Sequence, residues 1–153
     1  MRYLLCVLTL LLSVEAGAHR FAPSLLEVRQ LSDNGLTATW KTPAQKVSAT
    51  PIEPQFPPDC KRTSESPWIQ EGTGMLRQIQ LTCPDGIVGK TVSVSGLGEN
   101  QSSALLRVYL AENVFHQAVF TADQPSFLVP SEGTPSAVIL DYSWLGAEHI
   151  WAG

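Results

Sequence analysis

Three histidines and three cysteines carry most of the chemistry open to this 153-residue chain. His149 stands beside Glu148 in the run Tyr142-Ser-Trp-Leu-Gly-Ala-Glu-His-Ile-Trp-Ala-Gly153. That run reads as the opening turns of a membrane helix, with Tyr and Trp suited to a bilayer surface and small, apolar residues after them. An ionisable pair inside such a helix is costly in lipid, and for that reason Glu148 and His149 are candidate site residues. At ~1.5 Å per residue, His149 lies roughly 10 Å along a helix that starts at Tyr142. A soft imidazole at that depth suits a path for a divalent transition metal. The competing reading is a short amphipathic helix or frayed tail over residues 137–153.

His19 is the second candidate ligand. Met1-Arg2-Tyr3 and the apolar run from Leu4 to Val14, closed by Ala16-Gly17-Ala18, have the form of a signal peptide. The run is too short for the ~20 residues of a spanning helix. Cleavage between Ala18 and His19 would set a free α-amine beside an imidazole, a pair that chelates nickel or copper. No third ligand is identified, and the plainer reading is that a histidine merely falls at the first mature position.

Removing the leader takes away Cys6 and leaves Cys60 and Cys83 in an exported chain, where a disulfide is expected. Closing that loop in the unfolded chain is worth roughly 3 kcal/mol. A metal site is the weaker reading, because there is no C-x-x-C spacing and no histidine nearby. His116 shares strand parity with Val114, Ala118 and Phe120 and is expected to be a satisfied or half-exposed sheet histidine rather than a ligand. Asn100-Gln101-Ser102 fits the glycosylation triplet, which matters only in a eukaryotic secretory pathway.

The net charge of -4, with 16% charged residues, provides no basic field for nucleic acid. There is no nucleophile elbow, zinc-protease helix motif or phosphate-binding glycine loop, and no enzyme is expected. Positioning falls instead to short strands. Eleven prolines and eleven glycines favour turns over helices. Leu26 and Val28 share one face of a first strand within 22–31, Asp33-Asn34-Gly35 makes the turn, and Leu36, Ala38 and Trp40 alternate along the second. Thr50–Phe56, crossed by prolines, reads as an edge strand or extended connection, with a polar loop following through Ser66. Residues 74–83 place Ile79, Leu81 and Cys83 inward, and Val92 and Val94 do the same within 91–97. Residues 104–111 and 114–121 flank a polar connection.

These elements predict an all-β fold, an antiparallel immunoglobulin-like β-sandwich of seven to eight strands. The expected organisation is a signal peptide over 1–18, the sandwich over 19–122, a linker over 123–136 and the start of a membrane helix over 137–153.

Several stretches resemble the HupE/UreJ family, in the branch with an exported N-terminal domain. They are Ala18-His-Arg-Phe-Ala-Pro23, Phe56-Pro-Pro-Asp-Cys60, Leu81-Thr-Cys-Pro-Asp-Gly86, Gly96-Leu97, Pro125-Ser-Phe-Leu-Val-Pro130 and Leu145-Gly-Ala-Glu-His-Ile-Trp-Ala-Gly153. Family members are regarded as nickel or cobalt permeases that serve hydrogenase and urease maturation. Their first helix carries a His, a Gly four residues on, and then an Asp-His pair after one further residue. His149 and Gly153 match the first half, and the Asp-His half would begin two residues beyond Gly153. Ile150 stands where the better-described nickel permeases have Pro, which leaves nickel and cobalt both open.

The resemblance implies a domain outside the bacterial inner membrane, attached through the C-terminal helix, that receives or gates a metal. It implies no tightly bound cofactor, only transported Ni2+ or Co2+, and a hydrogenase or urease maturation system as partner. The alternative is an exported module that binds protein or carbohydrate without a transport role.

Overall fold

The computed structural model describes residues 22–31, 34–110 and 114–131. Among them are ten strands: β1 Ser24–Gln30, β2 Gly35–Pro43, β3 Glu53–Gln55, β4 Lys61–Glu65, β5 Ile69–Glu71, β6 Gly74–Thr82, β7 Thr91–Ser95, β8 Ala104–Tyr109, β9 Phe115–Phe120 and β10 Ser126–Leu128. Seven form one sheet in the order β4-β6-β2-β1-β8-β9, with β5 also on β6, and three form a second in the order β10-β7-β3. The arrangement is sandwich-like and all-β, and neither sheet closes into a barrel.

Period-two patterning builds the large sheet. Leu26, Val28, Leu36, Ala38, Trp40, Ile79, Leu81, Leu106 and Val108 are buried on its inner face. The register pairs Val28 with Ala38 and Ala38 with Ile79, so apolar residues lie opposite one another across three strands. Val92 and Val94 of β7 close the core from the second sheet, with Ile87, Leu97 and Val129 filling the ends. The β1–β2 turn works as the sequence suggests: Asn34 takes φ 58°, and Leu31 N–H donates to Gly35 O at 2.8 Å. Pro54 sits in β3, an edge strand paired only with β7, where its missing N–H is tolerated.

Four features differ from expectation. The strands number ten, more than the seven or eight predicted. The large sheet is not purely antiparallel, because β1 and β8 pair in parallel. Lys61–Glu65 and Ile69–Glu71, expected to lie within or after a polar loop, are strands along one edge of β6. Every residue of β4 and β5 is exposed, so main-chain pairing rather than burial makes them strands, and no hydrophobic period marks them. Finally, part of the expected linker belongs to the fold: Ser126–Leu128 pairs with β7, and Val129 is fully buried.

The expected signal peptide over 1–18, with Ala18, and the expected membrane helix over 137–153 lie outside the described residues. No helix among the described residues is long and apolar enough to cross a membrane.

Candidate functional site

Cys60 and Cys83 form the expected disulfide, with Cα atoms 4.2 Å apart. Cys83 arrives on the inward parity of β6 and is fully buried, while Cys60 follows β3. The bridge therefore ties the end of the large sheet to the connection leaving the small one. Beside it, Lys90 Nζ donates to Asp59 at 2.6 Å and to Pro84 O. The hydrogen bond from Lys90 holds the Asp59 carboxyl below its ordinary range.

At the opposite end of the sandwich a cleft of about 430 Å³ opens between the β2–β3 connection and β5–β6. Val47, Ile52, Trp68 and Met75 give it apolar walls, and Glu53 stands on its rim. Volume and lining fall in the range of small-ligand and peptide sites. Behind the rim lies Arg77, whose side chain is only 12% exposed. Its strand parity matches Ile79 and Leu81, so β6 aims it between the sheets, opposite Trp40 of β2. There it bonds Glu53 of β3 and, at 2.6 Å, Glu65 of β4, while its guanidinium lies 4.5 Å from the centre of the Trp68 ring. Two carboxylates from different sheets thus share one planar cation stacked on an indole, an arrangement suited to Arg and not to Lys. Arg62 extends the network, 3.8 Å from Glu65 and donating to Pro54 O at 3.2 Å.

The other wall of the cleft is pinned by Asn100, which is 4% exposed. Its Oδ1 accepts from Ser48 N–H at 3.2 Å, and its Nδ2 donates to Thr50 O at 2.9 Å and Gly96 O at 2.7 Å. Both Nδ2 hydrogens are used inside the fold, so the triplet at 100–102 is no glycan acceptor in the folded domain. Its asparagine is a loop anchor.

His116 lies on the inward face of β9, 4% exposed, with its ring 6.5 Å from that of Phe127. Burial depresses its pKa, opposed by a hydrogen bond with the Pro130 backbone, and Nε2 has no partner among the described residues. Its place on the strand is the one parity predicts, at the seam between β9 and β10, but it is buried rather than half-exposed and Nε2 is left unsatisfied among the described residues.

His19, Glu148 and His149, the three expected metal ligands, lie outside the described residues. Among the described residues no group of three His, Cys, Asp or Glu side chains could hold a metal ion. The residues that sequence reasoning missed are Arg77, Glu53, Glu65 and Trp68. One signal was available: the parity that buries Ile79, Leu81 and Cys83 also points Arg77 inward, and an inward cation requires partners. Comparison with known proteins finds no matching family model and no matching curated protein.

Proposed function

We propose that this chain is the extracytoplasmic part of a HupE/UreJ-like permease for nickel or cobalt: an immunoglobulin-like, disulfide-stapled sandwich ahead of a membrane helix. The single observation that carries the reading is the run Leu145–Gly153, where His149 and Gly153 have the spacing of the family's metal-selecting helix. The Cys60–Cys83 bridge supports it, since such bonds persist in oxidising compartments outside the cytoplasm. In this reading Glu148 and His149 belong to the metal path, and His19 with its α-amine is where the exported domain would receive metal. The test is uptake of nickel and cobalt by vesicles carrying the full-length protein. His149→Ala abolishes uptake of the transported metal, and uptake unchanged by that substitution sinks the proposal. Nickel titration with and without a residue added ahead of His19 then tests the receiving role separately.

The second reading, an exported interaction module, is favoured by the apolar cleft. Val47 and Trp68 are 49% and 40% exposed there, more than a sandwich end needs for its own packing. Substituting Trp68 and Val47 by Ser separates the two readings. Loss of partner capture with intact metal uptake favours the module.

A further inference from the structure

The large apolar side chains left in solvent fall into two groups at opposite ends of the sandwich. Val47, Trp68 and Ile69 belong to the cleft end. Leu31, Val88, Phe115 and Leu128, which are 51%, 37%, 42% and 61% exposed, belong to the other. The topology puts these four at one pole. Leu31 directly follows β1, Phe115 opens β9 and is paired with Tyr109, the last residue of β8, and Tyr109 is in register with Arg29. Leu128 pairs with Thr91 at the start of β7, and Val88 precedes Gly89, whose N–H donates to Val129 O at 2.8 Å. Cys83 N–H donates to Asn34 O at 3.0 Å, which brings the 83–89 turn to the same end as the β1–β2 turn.

Two further observations say what covers this pole. The chain leaves the described fold here, through Val129, Pro130 and Ser131, and the apolar, aromatic-flanked run begins at Tyr142, eleven residues on. Extended chain spans at most ~3.6 Å per residue, so the tether keeps the pole within roughly 40 Å of wherever that run is embedded. At the side of the pole, Tyr109 and Phe115 stack with ring centres 5.0 Å apart, and the Arg29 guanidinium lies 4.0 Å over Tyr109. Tyr with a flanking Arg is the composition of a membrane–water interface, with rings at headgroup level, and the Arg29 cation is held beside them by its 2.8 Å pair with Glu27.

We propose that this pole is a lipid contact. Leu31, Val88, Phe115 and Leu128 dip into the outer surface of the bilayer, fixing the sandwich upright with its cleft facing away from the membrane. The inference rests on the reading of residues 142–153 as membrane-embedded. Contact is by apolar insertion, because the net charge of -4 gives no electrostatic pull toward anionic lipid.

The test reconstitutes the full-length protein into phosphatidylcholine vesicles containing a phosphatidylcholine with a photoreactive group high on its acyl chain, then maps crosslinks by mass spectrometry. Crosslinks are expected on the peptides holding Leu31, Phe115 and Leu128 and not on those holding Val47 and Trp68, with a yield unchanged by salt. In a Leu31→Ser, Phe115→Ser, Leu128→Ser variant the yield at the pole drops by about tenfold or more, as expected when three exposed apolar side chains lose their transfer into lipid. These side chains are exposed, and an unchanged circular dichroism spectrum verifies that the variant folds. Crosslinks confined to residues beyond Ser131 overturn the pole contact and leave the membrane reading standing. A chain without crosslinks anywhere overturns both.

Discussion

Gly96 and Gly89 provide a matched pair that isolates what holds the cleft in shape. Their φ angles are +78° and +73°, so alanine at either position meets nearly the same backbone penalty, about 1 kcal/mol. The surroundings differ. A Cβ at Gly89 meets nothing within 4 Å, whereas one at Gly96 falls 2.2 Å from Pro51 O and 3.0 Å from Pro51 C, both backbone atoms. To reach ordinary contact the Pro51–Ile52 main chain must retreat by more than an ångström. That main chain continues into β3, and Asn100 Nδ2 links Thr50 O to Gly96 O across the same gap. Losing those two hydrogen bonds adds ~2 kcal/mol, for a total of about 3 kcal/mol for Gly96→Ala. The assay is urea unfolding, with m expected at roughly 1–3 kcal/mol/M and unchanged by either substitution. Gly96→Ala should lower the midpoint about three times as far as Gly89→Ala. Equal shifts would refute the close approach of Pro51 to Gly96, and with it the account of how the cleft wall is pinned.

Replacing both Cys60 and Cys83 by Ser should lower stability by about 3 kcal/mol in the same assay, and mass spectrometry of the unsubstituted protein, produced in an oxidising periplasm, should find neither thiol free. Arg77→Met leaves Glu53 and Glu65 without their shared cation. Because these carboxylates are 30% and 34% exposed and can rehydrate, the expected loss is ~2 kcal/mol, below that of a fully buried pair. Quenching of Trp68 fluorescence by iodide should rise in that variant as the indole loses its guanidinium cover. Burial holds His116 below the ordinary 6.5, so the unfolded chain takes the proton more readily. Stability is therefore full above 6.5, falls as pH drops through that value, and levels off below the folded pKa. His116→Gln should flatten the urea midpoint against pH in that window, and an unaltered slope would show that another group is responsible.

What the sequence determined by itself was local. Alternation of Leu26 with Val28, and of Leu36 with Ala38 and Trp40, named the buried face of the first hairpin, and Asn34-Gly35 named its turn. These follow from period-two geometry and the tolerance of Asn34 for positive φ. The partnership of Cys60 and Cys83 followed from reading residues 1–18 as a leader, which leaves two cysteines. Tertiary structure decided whatever depends on which strands become neighbours. The parallel pairing of β1 with β8 joins segments about 80 residues apart, and no local pattern encodes it. The polar strands β4 and β5 exist because β6 offers them an unpaired edge. Ser126–Leu128 joined the fold for the same reason, at the free side of β7. The Arg77 site needed both: parity turned the cation inward, but Glu53 reaches it from β3 and Glu65 and Trp68 from the β4–β5 stretch. Pairing of β4 with β6 brings Glu65 to Arg77, and only the packing of the two sheets brings Glu53 within hydrogen-bonding range.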